Sequence, residues 1–156
     1  MENVTRIASF SVNHDFIVPG IYVSRIDGDI VTYDLRTRQP NMGDYMDNLT
    51  MHSVEHMFAT YVRNSDIANQ IIYFGPMGCQ TGFYLLVRGA DKEKVFDTVV
   101  KTLEKIISHS GEMFGAKREE CGNYQNLSLA AAKAECEGYL SALRQNPNRF
   151  EYPRGV

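Results

Sequence analysis

The chain has 156 residues, of which 44% are hydrophobic and 22% are charged, and these values are close to ordinary globular usage. They fit one domain with one core, and we expect a single domain over residues 1–156. A formal net charge of −3 leaves no basic field to attract phosphate backbones or an anionic membrane surface, so neither nucleic acid nor a membrane is expected as a partner.

The N-terminal segment and the cysteines bear on where in the cell the protein is expected. No apolar stretch long enough for a signal peptide follows Met1, and no later run approaches the length of a membrane span, so we expect a cytoplasmic protein. The three cysteines are an odd number without a close C-x-x-C pair. A disulfide framework is therefore not expected, and each thiol needs its own explanation.

The first predicted element is a β-hairpin. Residues 21–26 and 30–35 are rich in β-branched and aromatic side chains, which favour strands. Between them stands Asp27-Gly28, a pair typical of two-residue hairpin turns. The sequence therefore predicts two antiparallel strands with their turn at Asp27-Gly28.

A helix and a second pair of strands follow. Apolar residues recur at helical spacing over residues 49–63, behind Asp47 and Asn48 as possible N-caps. Residues 71–74 and 83–87 then have the composition of strands.

Glycine and proline dominate the segment between those two strands. The string Gly75-Pro76-Met77-Gly78-Cys79-Gln80-Thr81-Gly82 contains three glycines and a proline, which demand a turn or loop. Cys79 is therefore expected in a tight loop that allows close approach of a ligand. From the residues alone, a structural role for this thiol is as plausible as a functional one.

Two more helices complete the predicted order. One begins after Asp91 and ends at Ser110-Gly111, and the other runs from about Ser128 to Asn146-Pro147. The polar stretch 115–125 between them has no regular pattern. Strands that pair locally, with helices between them, predict a single α+β domain in which helices pack on one face of an antiparallel sheet.

The most informative string is His52-Ser53-Val54-Glu55-His56. Each helical residue advances by roughly 100°, which places both histidines and the glutamate on one face. Two imidazoles one turn apart are able to chelate one metal ion, and the glutamate beside them is placed to move protons. A solvated helix face without a metal fits the same spacing, so a third ligand decides between the two.

Several residues are available as that third ligand. His14, His109, Cys121 and several acids are candidates, and separation along the sequence excludes none of them. Cys121 lies in a polar segment, where its thiol is either a metal ligand or a partly buried loop cysteine. Cys136 falls on the apolar face of the last predicted helix, where a structural role is favoured. By themselves His14 and Arg36 are typical of an ordinary histidine and of a solvated charge at a strand end.

Taken together, these strings resemble the LuxS family of S-ribosylhomocysteine lyases, over most of the chain and in the same order. The resemblance is carried by Ser9-Phe10, Asn13-His14, Asp34-Leu35-Arg36, Gln39-Pro40-Asn41, His52-Ser53-Val54-Glu55-His56, Pro76-Met77-Gly78-Cys79-Gln80-Thr81-Gly82 and Cys121-Gly122. The histidine-containing string and the one around Cys79 are highly specific together.

The resemblance implies a metal centre with acid–base groups beside it. His52, His56 and Cys121 would bind one divalent metal per chain, with Fe2+ favoured and Zn2+ or Co2+ as alternatives. Glu55 and Cys79 would carry protons.

The resemblance also implies a substrate and an assembly. Ser9, His14 and Arg36 would lie near S-ribosylhomocysteine, a small molecule that the one catalytic domain would cleave to homocysteine and dihydroxypentanedione. That product is the precursor of an autoinducer used in bacterial quorum sensing, and homocysteine links the reaction to methionine metabolism. A homodimer with active sites at the subunit interface is implied as well.

Three places depart from the family's usual pattern. Asn13 stands where an Asp usually precedes the histidine, and Tyr73 occupies a position that is often acidic. Thr37-Arg38 replaces a more apolar pair with a cysteine. These changes bear on substrate contacts rather than on the metal site.

Two other functions fit parts of the pattern. An H-x-x-E-H metallopeptidase would use the glutamate to activate water, and a distant acidic residue would complete its site. A non-enzymatic zinc-stabilised binding module would favour a closed site with four ligands. Neither gives Cys79 a role.

Overall fold

The computed structural model describes residues 3–153. The strands are β1 (Gly20–Asp27), β2 (Ile30–Arg36), β3 (Ile71–Pro76) and β4 (Gly82–Arg88), and the helices are α1 (Asn48–Val62), α2 (Lys92–Ile107) and α3 (Leu129–Gln145). Short 3-10 turns occupy Ala8–Phe10, His14–Phe16 and Ala68–Gln70. The ends of the expected domain, residues 1 and 156, lie outside the described range.

The strands form one antiparallel sheet in the order β1-β2-β4-β3. All three helices pack against one another, and α1 and α3 also contact strands. One cluster of buried side chains joins the sheet to the helices. The predicted α+β class, with helices on one face of an antiparallel sheet, is confirmed.

Side chains alternate between the two faces of this sheet. Tyr33 and Leu35 of β2 and Leu85 of β4 point into the core that the helices cover. Asp34 and Arg36 alternate with them along β2 and therefore lie on the opposite face. The apolar core thus occupies one side of the sheet, and a pair of buried charges occupies the other.

The first hairpin forms as predicted, but its turn is shifted by one residue. Asp27 is still part of β1 and pairs with Ile30, so that Gly28-Asp29 makes the turn. Gly28 has a φ of 62°, which a residue without a Cβ adopts at little cost. The conformational freedom of Gly28 therefore determines where the turn begins. The Asp27-Gly28 pair does not form the turn as a unit.

The helix predictions are confirmed at their N-termini. Asp47 and Ser128 cap α1 and α3 by accepting a hydrogen bond from the main chain of the first turn, as N-caps do. Asp91 caps α2, which ends at Ile107, before the predicted Ser110-Gly111. Among the described residues, none of the helices combines the length and apolar character needed to cross a membrane.

The segment after α3 returns along the edge of the sheet, which the sequence did not indicate. Phe150 exchanges main-chain hydrogen bonds with Ile21 and Val23 beside β1. Tyr152 follows it and stacks on Tyr22, with ring centroids 4.8 Å apart. The end of the described chain therefore covers part of the face that carries Asp34 and Arg36.

Candidate active site

The candidate metal-binding string, His52 to His56, lies on α1. Ser53, Val54, Met57 and Phe58 are buried, and they hold the helix against the rest of the core. His52, Glu55 and His56 occupy the flank of the helix that this stripe leaves free, and all three are half-buried. The amphipathic pattern of the helix thus places these polar side chains where a loop can approach them.

That loop supplies the candidate third ligand, Cys121. One ring nitrogen each of His52 and His56 and the sulfur of Cys121 all lie within 4.8 Å of one another. The Cys121 sulfur is 3.4 Å from Nε2 of His52 and accepts a hydrogen bond from the main-chain N–H of Asn123. Two imidazoles and a thiol at this spacing are able to hold one divalent metal ion, and three protein ligands leave a coordination position for substrate.

Main-chain carbonyls orient both imidazoles. Nδ1 of His52 lies 2.8 Å from the carbonyl oxygen of Asn126, and Nδ1 of His56 lies 2.9 Å from that of Phe114. A carbonyl only accepts, so each Nδ1 carries the proton, which leaves the Nε2 lone pair free for a metal. The protein alone therefore sets both rings in the form that binds a metal.

The loop between α2 and α3 is fastened to α1 on both sides of Cys121. Downstream, the Asn126 side chain donates to Asn48 at 2.6 Å, and Ser53 accepts from the main chain of Ser128 at 2.8 Å. Upstream, His109 lies 2.7 Å from the hydroxyl of Tyr61. These contacts hold an irregular loop in one place relative to the helix.

Gly115 allows the closest approach of this loop to α1. Its φ is 66°, and an added Cβ would lie 2.9 Å from Nδ1 of His56. A side chain here would displace the imidazole, and residues with a Cβ rarely adopt this φ. Both the close contact and the backbone conformation therefore require glycine.

The remaining predicted site residues meet elsewhere, in a cleft of about 370 Å³. Its walls include Ser9 and His14 from the N-terminal segment, Arg36 from β2, and Cys79 from the loop between β3 and β4. The structure thus brings together four residues that are far apart in sequence, on the face of the sheet opposite the helices.

Arg36 is buried rather than solvated, in contrast to a typical strand-end charge. It is 3% exposed and makes a two-pronged ion pair with Asp34, with N–O distances of 2.7 and 3.1 Å. Burial opposes the positive charge, but the Asp34 carboxylate outweighs it and raises the pKa of Arg36 above its ordinary value. The guanidinium therefore stays charged beneath the cleft.

Thr81 connects this charge to Cys79. Nη1 of Arg36 donates to the Thr81 hydroxyl oxygen at 2.8 Å, and that oxygen lies 3.0 Å from the sulfur of Cys79. Since the hydroxyl oxygen accepts from the guanidinium, its own proton is free to point at the sulfur. Cys79 is exposed to the cleft, and Thr81 and Arg36 contact its sulfur from the buried side.

Sequence reasoning missed Asp34, Thr81 and Tyr152. The one available signal was that Asp34 and Arg36 are two positions apart on a strand and hence share a face. Tyr152 donates a hydrogen bond to Oδ2 of Asp34 at 2.8 Å across 118 residues of sequence, and no local pattern reports such a contact.

The structure shows what surrounds residues at the three departures from the family pattern. Asn13 accepts from the main chain of Asp15 and caps a short turn, and Tyr73 is exposed on the sheet. Arg38 donates to Glu135 of α3 at 2.6 Å, which explains an acidic side chain on the buried face of that helix. None of these three residues is among the hydrogen-bond partners of His52 and His56.

Cys136 has the structural position that the sequence favours. It is 1% exposed within the core cluster. Burial raises the pKa of its thiol far above the ordinary value, and the neighbouring Glu135 carboxylate adds to that effect. This thiol is inert at neutral pH.

Comparison with known proteins identifies relatives that match most of this chain. A family model described as S-Ribosylhomocysteinase (LuxS) matches residues 7–150. The S-ribosylhomocysteine lyase of Finegoldia magna is 41% identical over 145 residues, which are 90% of this chain and 92% of that protein. That of Clostridium beijerinckii is 42% identical over 147 residues, with the same coverage of 90% and 92%. That of Borreliella afzelii is 39% identical over 155 residues, which are 95% of this chain and 99% of that protein. None of these matches supports a metallopeptidase or a zinc-stabilised binding module.

Proposed function

The chain belongs to the S-ribosylhomocysteinase (LuxS) family, and from that membership we propose that it cleaves S-ribosylhomocysteine to homocysteine and dihydroxypentanedione. The observation that carries the proposal is the cluster of His52, His56 and Cys121 in a chain that matches the family over residues 7–150. All 156 residues would then form one catalytic domain.

The substrate dictates what the site must do. A carbon–sulfur bond without an acidic proton on the neighbouring carbon does not eliminate at neutral pH. The sugar carbonyl must first migrate along the chain, by proton shifts through two enediolates, until it acidifies the carbon next to the one that bears sulfur. Removal of that proton then expels homocysteine as its thiolate. The site therefore needs groups that take protons from one carbon and return them to the next.

His52, His56 and Cys121 would hold one divalent metal per chain. Bound there, the ion supplies a Lewis acid for the negative charge that develops on the sugar oxygens. The donor set accepts Fe2+, Zn2+ or Co2+, and we favour Fe2+ because the resemblance to the family implies it.

Glu55 and Cys79 are the proposed proton carriers. Glu55 follows His52 by three positions on α1, so that its half-buried carboxylate lies on the same flank as the metal ligands. The sulfur of Cys79 is open to the cleft, with the Thr81 hydroxyl 3.0 Å away and Nη1 of Arg36 3.9 Å away. Both contacts favour negative charge on the sulfur, which a proton acceptor requires.

Ser9, His14 and Arg36 are proposed to bind the substrate. Ser9 and His14 lie in the N-terminal segment that forms one wall of the cleft, and Arg36 forms its floor. A hydroxyl, an imidazole and a guanidinium suit the hydroxyl and carboxylate groups of a sugar joined to an amino acid.

A homodimer would unite the two clusters. His52 and His56 belong to the helical side, whereas Arg36 and Cys79 belong to the opposite face of the sheet, and in the described residues the cleft walls include none of the metal ligands. Large apolar side chains are exposed in the N-terminal segment, which forms one wall of the cleft, and on β3: Ile7, Phe10, Phe16 and Tyr73. A second copy of the chain would cover them and bring its metal cluster to the cleft.

The cellular setting follows from the chemistry. We place the reaction in the cytoplasm, because all three thiols are free and one of them is a proposed metal ligand that oxidation would destroy. There the product would serve as the autoinducer precursor for quorum sensing, and homocysteine would return to methionine synthesis.

The test is release of thiol from S-ribosylhomocysteine. Protein prepared and loaded with Fe2+ without oxygen should release homocysteine, which is measured by thiol titration against a blank without substrate. Metal-stripped protein is the matched control and should release none. Folded, metal-loaded protein that releases no thiol from S-ribosylhomocysteine, or that hydrolyses peptides instead, would overturn the proposal.

The choice of metal is tested separately. Protein purified without oxygen from cells should contain iron by elemental analysis and should lose that iron and its turnover in air. Protein reloaded with Zn2+ should survive air. If only the zinc form ever turns over, the proposal of iron is wrong.

A further inference from the structure

The C-terminal segment reaches the buried charges beneath the cleft. Phe150 fixes the segment beside β1, and Tyr152 follows with its ring stacked on Tyr22. From there the Tyr152 hydroxyl donates to Oδ2 of Asp34 at 2.8 Å. The family match ends at residue 150, so this contact lies beyond it.

Asp34 joins Tyr152 to Arg36 through hydrogen bonds, and both of its oxygens are engaged. Oδ1 accepts from Nε of Arg36 at 3.1 Å, and Oδ2 accepts from Nη2 of Arg36 at 2.7 Å as well as from Tyr152. A carboxylate held by three donors has one orientation. The plane of the guanidinium is thereby fixed too, because the pairing is two-pronged.

The orientation of the guanidinium decides what Cys79 meets. With Nε and Nη2 on Asp34, Nη1 is directed at Thr81 and, at 3.9 Å, at the Cys79 sulfur. Burial and the negative charge of Asp34 both raise the pKa of Tyr152, so its phenol stays protonated and continues to donate at working pH. The contacts therefore form one continuous chain, in which Asp34 accepts from both Tyr152 and Arg36, and Arg36 in turn donates toward Cys79.

We propose that Tyr152 is a positioning residue for the reaction: its hydroxyl fixes Asp34, so that Arg36 keeps Nη1 on Thr81 and Cys79. The proposal rests on the proposed function, in which Cys79 carries protons. Without the hydroxyl, Asp34 has one donor fewer and draws the guanidinium toward itself and away from the sulfur. Cys79 then loses part of the positive charge that favours its ionised form.

The variant Tyr152→Phe tests this with little disturbance, because it keeps the ring on Tyr22 and removes only the hydroxyl. Tyr33→Phe is the matched control, since the buried Tyr33 hydroxyl has no hydrogen-bond partner among the described residues. The first readout is the rate of Cys79 alkylation by iodoacetamide against pH, followed by peptide mass spectrometry. It does not depend on turnover, so it stays informative even if the lyase assay fails.

In Tyr152→Phe the alkylation profile of Cys79 should move to higher pH, with a rate at pH 7 about fivefold lower than in wild type. The other ionisable groups that line the cavities around Cys79, namely His14, Tyr45 and Tyr84, are the same in all three proteins. With S-ribosylhomocysteine, kcat should fall by a similar factor, whereas metal content should not change. Tyr33→Phe should match wild type in every measurement.

A purely structural role for Tyr152 would lower the melting temperature and leave the alkylation profile in place, and that result would overturn the proposal. So would a Tyr152→Phe variant with wild-type profile and kcat. If the profile shifts but wild-type protein releases no homocysteine, the positioning role stands and the proposed function fails.

Discussion

At the scale of single residues, three thiols of one chain have three different environments. Cys79 is exposed to the cleft, Cys121 lies between His52 and a main-chain N–H, and Cys136 is in the core. Exposure and charge control thiol reactivity, so the three cysteines should respond to different conditions.

Alkylation with iodoacetamide at neutral pH should therefore proceed in a fixed order. Cys79 should react first and be protected by substrate, Cys121 should react only after a chelator removes the metal, and Cys136 should react only after unfolding. Peptide mass spectrometry with and without chelator and denaturant measures the order. Early labelling of Cys136 would contradict the assignment of all three.

A second expectation at this scale separates metal binding from proton transfer. Glu55→Gln keeps the shape of the side chain and removes the base, so turnover should fall by roughly a hundredfold or more while metal content stays at one ion per chain. His56→Ala is the control and should lose the metal as well. If Glu55→Gln loses metal to the same extent, Glu55 is a ligand instead.

Some of the site could be predicted from residues and some could not. Helical geometry alone puts His52, Glu55 and His56 on one face. Cys121 is 69 residues from His52, and the resemblance to a family was needed to select it from the other candidates. The burial of Arg36 depends on Asp34, Thr81 and Tyr152 together, and such convergence of distant residues leaves no trace in local spacing.

At the scale of elements, α1 depends on its N-cap. Thr50 donates to the Asp47 carboxylate, and this hydrogen bonding holds the pKa of Asp47 below its ordinary value of 3.8. A carboxyl group whose pKa is lower in the folded protein stabilises the fold above the unfolded value, and this contribution is lost as pH falls through the folded one.

The variant Asp47→Asn should therefore unfold at lower urea concentration than wild type at pH 6, and the difference should close as the pH falls below 3.8. Asp66→Asn, at an exposed loop position, is the control and should change little at either pH. Circular dichroism at pH 6 and pH 3 measures both. An Asp47→Asn variant as stable as wild type at pH 6 would show that the charge on the cap contributes nothing.

Elements were easier to predict than the contacts between them. The 3.6-residue period of buried side chains reports α1, α2 and α3 because each helix packs one face on a single core. The hairpin turn differed by one residue because glycine conformation, not residue pairing, sets it. The return of the chain at Phe150 along β1 has no periodic signal, since one paired residue is too short to show one.

At the scale of the whole molecule, the proposed dimer predicts a restoration of activity that separate monomers could not produce. If each site combines the metal cluster of one subunit with the cleft of the other, Cys79→Ala and Glu55→Gln damage different halves. A mixed dimer of the two variants would then contain one intact site and one doubly damaged site.

Unfolding the two inactive variants together and refolding them should therefore restore turnover, to about a quarter of the wild-type value if subunits pair at random. Each variant refolded alone should stay inactive. Sedimentation should show a dimer in all samples. A dimeric mixture without turnover would mean that each chain uses its own Cys79, and the interface site would be wrong.

The carbonyl oxygens of Asn126 and Phe114 have a consequence for how the protein matures. They orient both imidazoles through main-chain contacts of the fold, toward the place where the Cys121 sulfur also lies. A chain built this way can be completed first and loaded afterwards, unlike a zinc finger, whose folding awaits its ion. If the proposed metal site is filled in this way, the supply of metals around the finished protein decides which ion it holds, and an environment short of iron would yield the same fold filled with another element.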